Sequence, residues 1–223
     1  MLAIVQARMS SQRLPGKVLR PIAGKPMLHW VHDRLSQAGN LSRVVIATSV
    51  ASSDDPVCEY CRDQKIPYYR GPLDHVVTRF LECAQREAAE SFVRISGDSP
   101  LIDPALVDQA IALQMSTSCD LATNVQVRSY PKGQSVEVIR AAALTKACQK
   151  TRDAQDYEHV TRYFYAHPEQ FRIDSFSNGE SMGDIQLSVD TLEDFQAVEA
   201  ILQSAGGCIS WRTAATLKQE IVA

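Results

Sequence analysis

Three cations, Arg8, Arg13 and Lys17, sit in one short stretch with Pro15 and Gly16, and the first 32 residues contain no aspartate or glutamate. The chain as a whole is acidic, at formal net charge −3, so this opening reverses the local sign. A basic, glycine-bearing loop suits a polyphosphate, because backbone N–H groups and cationic side chains can converge on its oxygens. Far downstream, Asp98 lies in Ser96-Gly97-Asp98-Ser99-Pro100 and Asp190 in Val189-Asp190-Thr191. Carboxylates can hold magnesium, a hard cation that takes oxygen ligands and shares its shell with substrate phosphates. Each aspartate alone reads more readily as a cap of a helix or turn; two at the same strand edge as the basic loop point to a metal. Metal, triphosphate and cationic loop together are the parts of nucleotidyl transfer.

The elements needed to bring these residues together are also legible. Leu2-Ala3-Ile4-Val5 is an apolar strand leading straight into the basic loop, and a helix is predicted from near Pro26. Residues 43–48 and 92–96 are short apolar runs of the kind buried in a sheet. Residues 66–69 read as a brief strand, and helices are predicted over 55–64, from a cap at Asp74 to about 89, and from Asp103-Pro104 onward. This alternation implies a mostly parallel sheet with helices on both faces. Ligands in such folds bind at the carboxyl ends of the strands, the edge on which the basic loop, Asp98 and Asp190 all fall. Residues 135–139, 171–174 and 185–189 read as further strands, and 141–150 and 155–166 as helices. Thr191-Leu192-Glu193-Asp194 resembles a capping box opening the last major helix. Residues 1–223 are expected to form one domain, with 120–185 as a lid or dimerisation arm.

Other chemistries are disfavoured. Gly16-Lys17 is followed by Val18 and the upstream glycine position is Ser11, so there is no Walker A loop; G-x-G-x-x-G and G-x-S-x-G are also absent. Cys58 and Cys61 make a lone C-x-x-C on one helix face, which reads as packing rather than zinc or redox chemistry; Cys83, Cys119, Cys148 and Cys208 read as ordinary positions. An acidic total argues against general nucleic-acid binding. With no membrane-spanning run and no signal-peptide core, a cytoplasmic protein is expected. His29 and His32 read as helix packing; no general base is evident, since His159, the candidate by chemistry, reads more readily as a hydrogen-bonding residue on a helix surface.

The segments Ile4-Val5-Gln6-Ala7-Arg8-Met9-Ser10-Ser11-Gln12-Arg13-Leu14-Pro15-Gly16-Lys17 and Gly24-Lys25-Pro26-Met27 resemble the opening of cytidylyltransferases that activate acidic sugars. Ala47-Thr48-Ser49, Ser53-Asp54-Asp55-Pro56, residues 94–103, Tyr130-Pro131-Lys132-Gly133, Glu158-His159-Val160-Thr161 and Val189-Asp190-Thr191 continue the match in order. The resemblance is closest to the spore-coat polysaccharide cytidylyltransferase-like family, with the CMP-Kdo synthetases more distant. It implies a three-layer α/β/α Rossmann-like nucleotide-diphospho-sugar transferase fold. It implies transfer of CMP from CTP to an acidic sugar of octulosonate or nonulosonate type, with release of pyrophosphate, in surface polysaccharide biosynthesis. Carried over, Gln6, Ala7, Arg8, Arg13, Lys17, Ser96 and Asp98 bind the nucleotide, and Arg13, Lys17 and Asp98 are catalytic. Asp98 and Asp190 hold Mg2+, Lys132, Glu158 and His159 face the acceptor, and a homodimer is expected. The loop around Lys132 departs from the CMP-Kdo synthetases, which leaves the acceptor open. Two other readings stand beside this one: a nucleotide-sugar-dependent glycosyltransferase of the same fold, although the chain lacks D-x-D, and a non-catalytic nucleotide-binding scaffold.

Overall fold

A computed structural model describes residues 1–205 and 209–222. In chain order the elements are β1 (Leu2–Gln6), β2 (Pro21–Ile22), β3 (Lys25–Pro26), α1 (Met27–Leu35), β4 (Arg43–Ser49), α2 (Asp55–Asp63), β5 (Tyr68–Gly71), α3 (Val76–Arg86) and β6 (Ser91–Ser96). They continue as α4 (Pro104–Thr117), β7 (Leu121–Thr123), β8 (Glu137–Arg140), α5 (Ala141–Lys150), α6 (Ala154–Glu158), α7 (Arg162–Ala166), β9 (Ile173–Ser175), α8 (Leu192–Ala205) and α9 (Trp211–Val222).

Seven strands form one sheet in the order β5-β4-β1-β6-β8-β7-β9, and β2 and β3 make a separate small hairpin. β1 lies between β4 and β6, parallel to both. β8 alone runs against its neighbours β6 and β7, so the sheet is mostly parallel, as predicted. Side chains of a strand alternate between faces, and β1 shows this directly. Ala3 and Val5 enter a core shared with residues of α1, α2, α4 and α8, whereas Leu2 and Ile4 enter a second core shared with α3, α5 and α7. Two apolar layers around one sheet make the three-layer α/β/α sandwich.

Several boundaries differ from the sequence reading. The predicted helix over 155–166 is two short helices, because His159 leaves the helical region at φ −101 and ψ 83. Val160 and Thr161 form the turn between the two helices. Residues 185–189 are not a ladder strand; they make one isolated bridge, Gln186 to Lys132. Asp74 does not cap α3: its N-cap is His75, with no side-chain cap bond. The strand predicted over 66–69 forms two residues later as β5, and those predicted over 135–139 and 171–174 form as β8 and β9. Strand β7, the β2–β3 hairpin and helix α9 were not anticipated.

Residues 120–185 contribute β7, β8 and β9 to the main sheet, so much of this interval is part of the sandwich rather than a separate arm. Two predicted caps form. Asp103 accepts from Ala105 N at 2.9 Å, and its other carboxylate oxygen accepts from Trp211 N at 2.8 Å, tying α4 to the start of α9. At α8, Thr191 Oγ1 accepts from Asp194 N, and Asp194 Oδ2 accepts from Asp190 N and Thr191 N at 3.0 and 2.9 Å. Cys58, Cys61, Cys83 and Cys119 are buried free thiols, and burial pushes Cys61 and Cys83 up to about 12. Cys208 lies outside the described residues.

Candidate active site

The basic loop is anchored by Asp54, which directly precedes α2. Asp54 is fully buried, with 0% exposure. Its Oδ1 accepts from Met9 N at 2.7 Å, and its Oδ2 accepts from Ser49 N and Ser49 Oγ at 3.1 and 2.5 Å. The carboxylate therefore pins the loop after β1 to the end of β4. Met9 O then accepts from Ser11 N and Gly16 N at 3.0 and 2.9 Å, folding the loop back on itself. Gly16 sits at φ +71, where other residues are strained. Asp54→Ala leaves the Met9 and Ser49 donors unsatisfied, at about 1–3 kcal/mol each. Nucleotide affinity is expected to fall about tenfold or more, read by calorimetry, with a lowered melting temperature.

Lys17 follows that turn and points back under the loop. It is 7% exposed, and its Nζ donates to Asp98 Oδ2 at 3.2 Å, Asp190 Oδ1 at 3.1 Å and Val189 O at 2.5 Å. An ammonium has three donors, so all three are used. Arg13 Nη2 also reaches Asp190 Oδ1, at 2.9 Å, and Arg8 Nη2 reaches Glu158 Oε1 at 3.3 Å. Arg13 and Arg8 are largely solvent-facing at 64% and 41% side-chain exposure, free to turn toward an incoming anion. Asp98 and Asp190, 92 positions apart in sequence, are thus joined through one cation.

Two close backbone contacts set Asp98 and Asp190 in place. Gly97 N donates to Gln6 O at 2.9 Å, and a Cβ on Gly97 would lie 2.8 Å from that oxygen. Only glycine lets the turn after β6 approach β1 so closely. Val189 N donates to Asp98 O at 2.9 Å, which fixes Asp190 beside it. Gln6 is held from below by Arg94, whose Nε and Nη2 donate to Gln6 Oε1 at 3.3 and 3.1 Å. Arg94 in turn pairs with the buried Glu137, which accepts from Tyr165.

These groups line a cleft of about 520 Å³ at the carboxyl ends of β1 and β6. It gathers Gln6, Ala7, Arg8, Arg13, Lys17, Ser96, Asp98 and Asp190, and also Glu158 and His159. Lys132 is elsewhere. It lines a second depression of about 340 Å³ with Arg128, Ser135 and Ser188, which meets the cleft at Ser96 and Asp98. The three residues expected together on the acceptor side are therefore split: Glu158 and His159 stand beside Arg8, while Lys132 lies across Asp98. Its backbone is clamped, with Lys132 N donating to Ile185 O and Leu187 N donating to Lys132 O, both at 2.9 Å.

A model of the cytidylyltransferase family matches residues 2–213. The chain belongs to the cytidylyltransferase family. It is 32% identical over 92% of its length to the spore coat polysaccharide biosynthesis protein SpsF of Bacillus subtilis (strain 168), covering 87% of that protein. It is 42% identical to the 3-deoxy-manno-octulosonate cytidylyltransferase of Geobacter sulfurreducens, but over 49% of this chain and 43% of that protein. A solved cytidylyltransferase from Leptospira borgpetersenii serovar Hardjo-bovis (strain JB197) superposes with a TM-score of 0.89 at 25% identity, covering 99% of this chain and 93% of that one. The chain is thus a CTP-dependent nucleotidyltransferase. No helix among the described residues of this cytidylyltransferase is long and apolar enough to cross a membrane.

Proposed function

We propose that this cytidylyltransferase transfers CMP from CTP to an acidic sugar of octulosonate or nonulosonate type, releasing pyrophosphate, as a step of surface polysaccharide biosynthesis. The observation that carries the reading is the convergence of Arg8, Arg13, Lys17, Asp98 and Asp190 on one cleft. The likeness to the Geobacter octulosonate enzyme supports the acceptor class, and a cationic depression beside Asp98 supports a negatively charged acceptor.

The residues present fit magnesium. Asp98 Oδ2 and Asp190 Oδ1 already share one cation, the Lys17 ammonium, and both are hard oxygen donors. Among the described residues no third carboxylate, histidine or cysteine joins them, which suits an ion completed by phosphate oxygens and water. Asp98 and Asp190 would hold Mg2+, which when bound neutralises phosphate charge and polarises the phosphoryl group.

The chain's own groups divide the remaining work. Arg8 and Arg13, swinging from Glu158 and Asp190, bind the triphosphate and stabilise the charge that grows on the departing pyrophosphate. Asp98 borders both cavities, so the α-phosphorus belongs between them. An acceptor hydroxyl entering from the Lys132 side gives its proton to solvent and forms the new O–P bond as the bond to the bridging α–β oxygen breaks and pyrophosphate leaves. Lys132 holds the acceptor's anionic group and orients it. The test is pyrophosphate release from CTP with magnesium across a panel of 3-deoxy-octulosonates, nonulosonates and neutral sugars. Release with acidic sugars is expected; release only with neutral sugars would reject the acceptor class.

A further inference from the structure

Arg79, on α3, is a cation that neither the loop nor the paired aspartates explain. It is 1% exposed, and its Nε and Nη1 have no hydrogen-bond partner. Its stem is fixed against β5: a Cβ on Gly71 would lie 2.9 Å from Arg79 Cγ and 3.0 Å from Arg79 Cβ. Burial and the nearby Arg8 lower its guanidinium to about 10, with Asp54 acting in the opposite direction. It still carries its charge at neutral pH. A buried, unpaired guanidinium is costly to the unliganded protein, and the cost is relieved by a group that brings acceptors.

The surroundings define what that group is. Arg79 lines a subcavity of about 120 Å³ with Val76, Arg94 and five residues that also line the main cleft, Gln6, Ala7, Arg8, Glu158 and His159. Arg94 is already committed to Gln6 and Glu137, and Arg8 to Glu158, so among the described residues Arg79 is the arginine there without a partner of its own. A ligand held by the basic loop can therefore extend one small moiety toward Arg79. The guanidinium offers only donors, side by side and in one plane. Its match is a planar edge with two adjacent acceptors. Cytosine has such an edge in O2 and N3, whereas uracil pairs an O2 acceptor with an N3–H donor that would face another donor. Guanine offers two acceptors on its O6/N7 edge, but a two-ring base is poorly suited to so small a subcavity.

We infer that Arg79 reads the nucleobase, selecting cytosine over uracil through its two-acceptor edge. Glu158 supplies an acceptor in the same subcavity, and cytosine's exocyclic amine is a donor. This inference rests on the reading of CTP as the nucleotide and names the residue that makes the choice.

The test is binding of CTP, UTP and GTP, each with magnesium, to wild type, Arg79→Gln and Arg79→Met by calorimetry, with melting temperatures of the unliganded proteins. Wild type is expected to prefer CTP over UTP by roughly 5- to 150-fold, the discrimination of one good bidentate pair. Arg79→Gln presents one donor and one acceptor, so the preference collapses and UTP gains on CTP. Arg79→Met loses CTP affinity while its unliganded melting temperature stays at or above wild type, because an unpaired buried charge has gone. A wild-type preference for CTP that both variants retain overturns the role of Arg79 alone. Variants that melt well below wild type with an unchanged CTP-to-UTP ratio mark Arg79 as structural and overturn it too. Wild type that binds CTP no better than UTP or GTP overturns the inference together with the CTP reading beneath it.

Discussion

Asp98→Ala is expected to lower turnover by at least about 10²–10³-fold, the loss typical when one preorganised electrostatic group is removed from a phosphoryl-type site. The melting temperature should stay near wild type. Asp98 is a quarter exposed, and Lys17 keeps Asp190 and Val189 O as partners when it is gone. The effect should fall on turnover more than on CTP affinity, since the triphosphate contacts proposed for Arg8 and Arg13 do not depend on Asp98. Steady-state kinetics on the purified variant, beside its melting curve, checks both halves. A variant with normal turnover removes Asp98 from the chemistry.

Lys17→Met has a different signature. It deletes the shared cation from between two carboxylates, and removing one partner of a buried charge pair is destabilising. Both aspartates keep about a quarter of their side-chain surface in water, so the cost is set below that of a fully buried pair, at about 2 kcal/mol. In a chain of this size that is a melting temperature lowered by roughly 4–8 °C. Magnesium should restore more of the loss in Lys17→Met than it adds to wild type, because the aspartates then lack their own cation. Turnover should also fall sharply. Equal response of the two proteins to magnesium would show that Asp98 and Asp190 do not form the metal site.

Much of the architecture was legible because buried parallel strands are written as short β-branched runs. Arg43–Ser49 and Ser91–Ser96 stand out for that reason, and both flank β1 in register. The paired aspartates were legible because each closes a segment that ends at the same sheet edge. Other features depend on contacts far apart in sequence. Residues 185–189 alternate like a strand but find one bridge partner, since their N–H and C=O groups go to Lys132 and Asp98 instead of a ladder. Asp54 resembles a helix cap because Asp55 and Pro56 follow it, yet its carboxylate turns to Met9, 45 positions away. Arg79 gives no local signal: an arginine on an amphipathic helix reads as surface until the fold buries it against Gly71.

The central claim is that Asp98, Asp190 and the basic loop form one site for a magnesium–CTP complex. Thermal stability of the wild-type protein with CTP, UTP, ATP or GTP, each with and without magnesium, tests it most directly. A ligand at about a hundred times its dissociation constant adds about 2.7 kcal/mol, which is a rise of roughly 5–11 °C at this size. The account predicts that rise with CTP and magnesium together, and a much smaller one with either alone or with the other nucleotides. An unchanged melting temperature with every nucleotide, or a CTP response indifferent to magnesium, would contradict it.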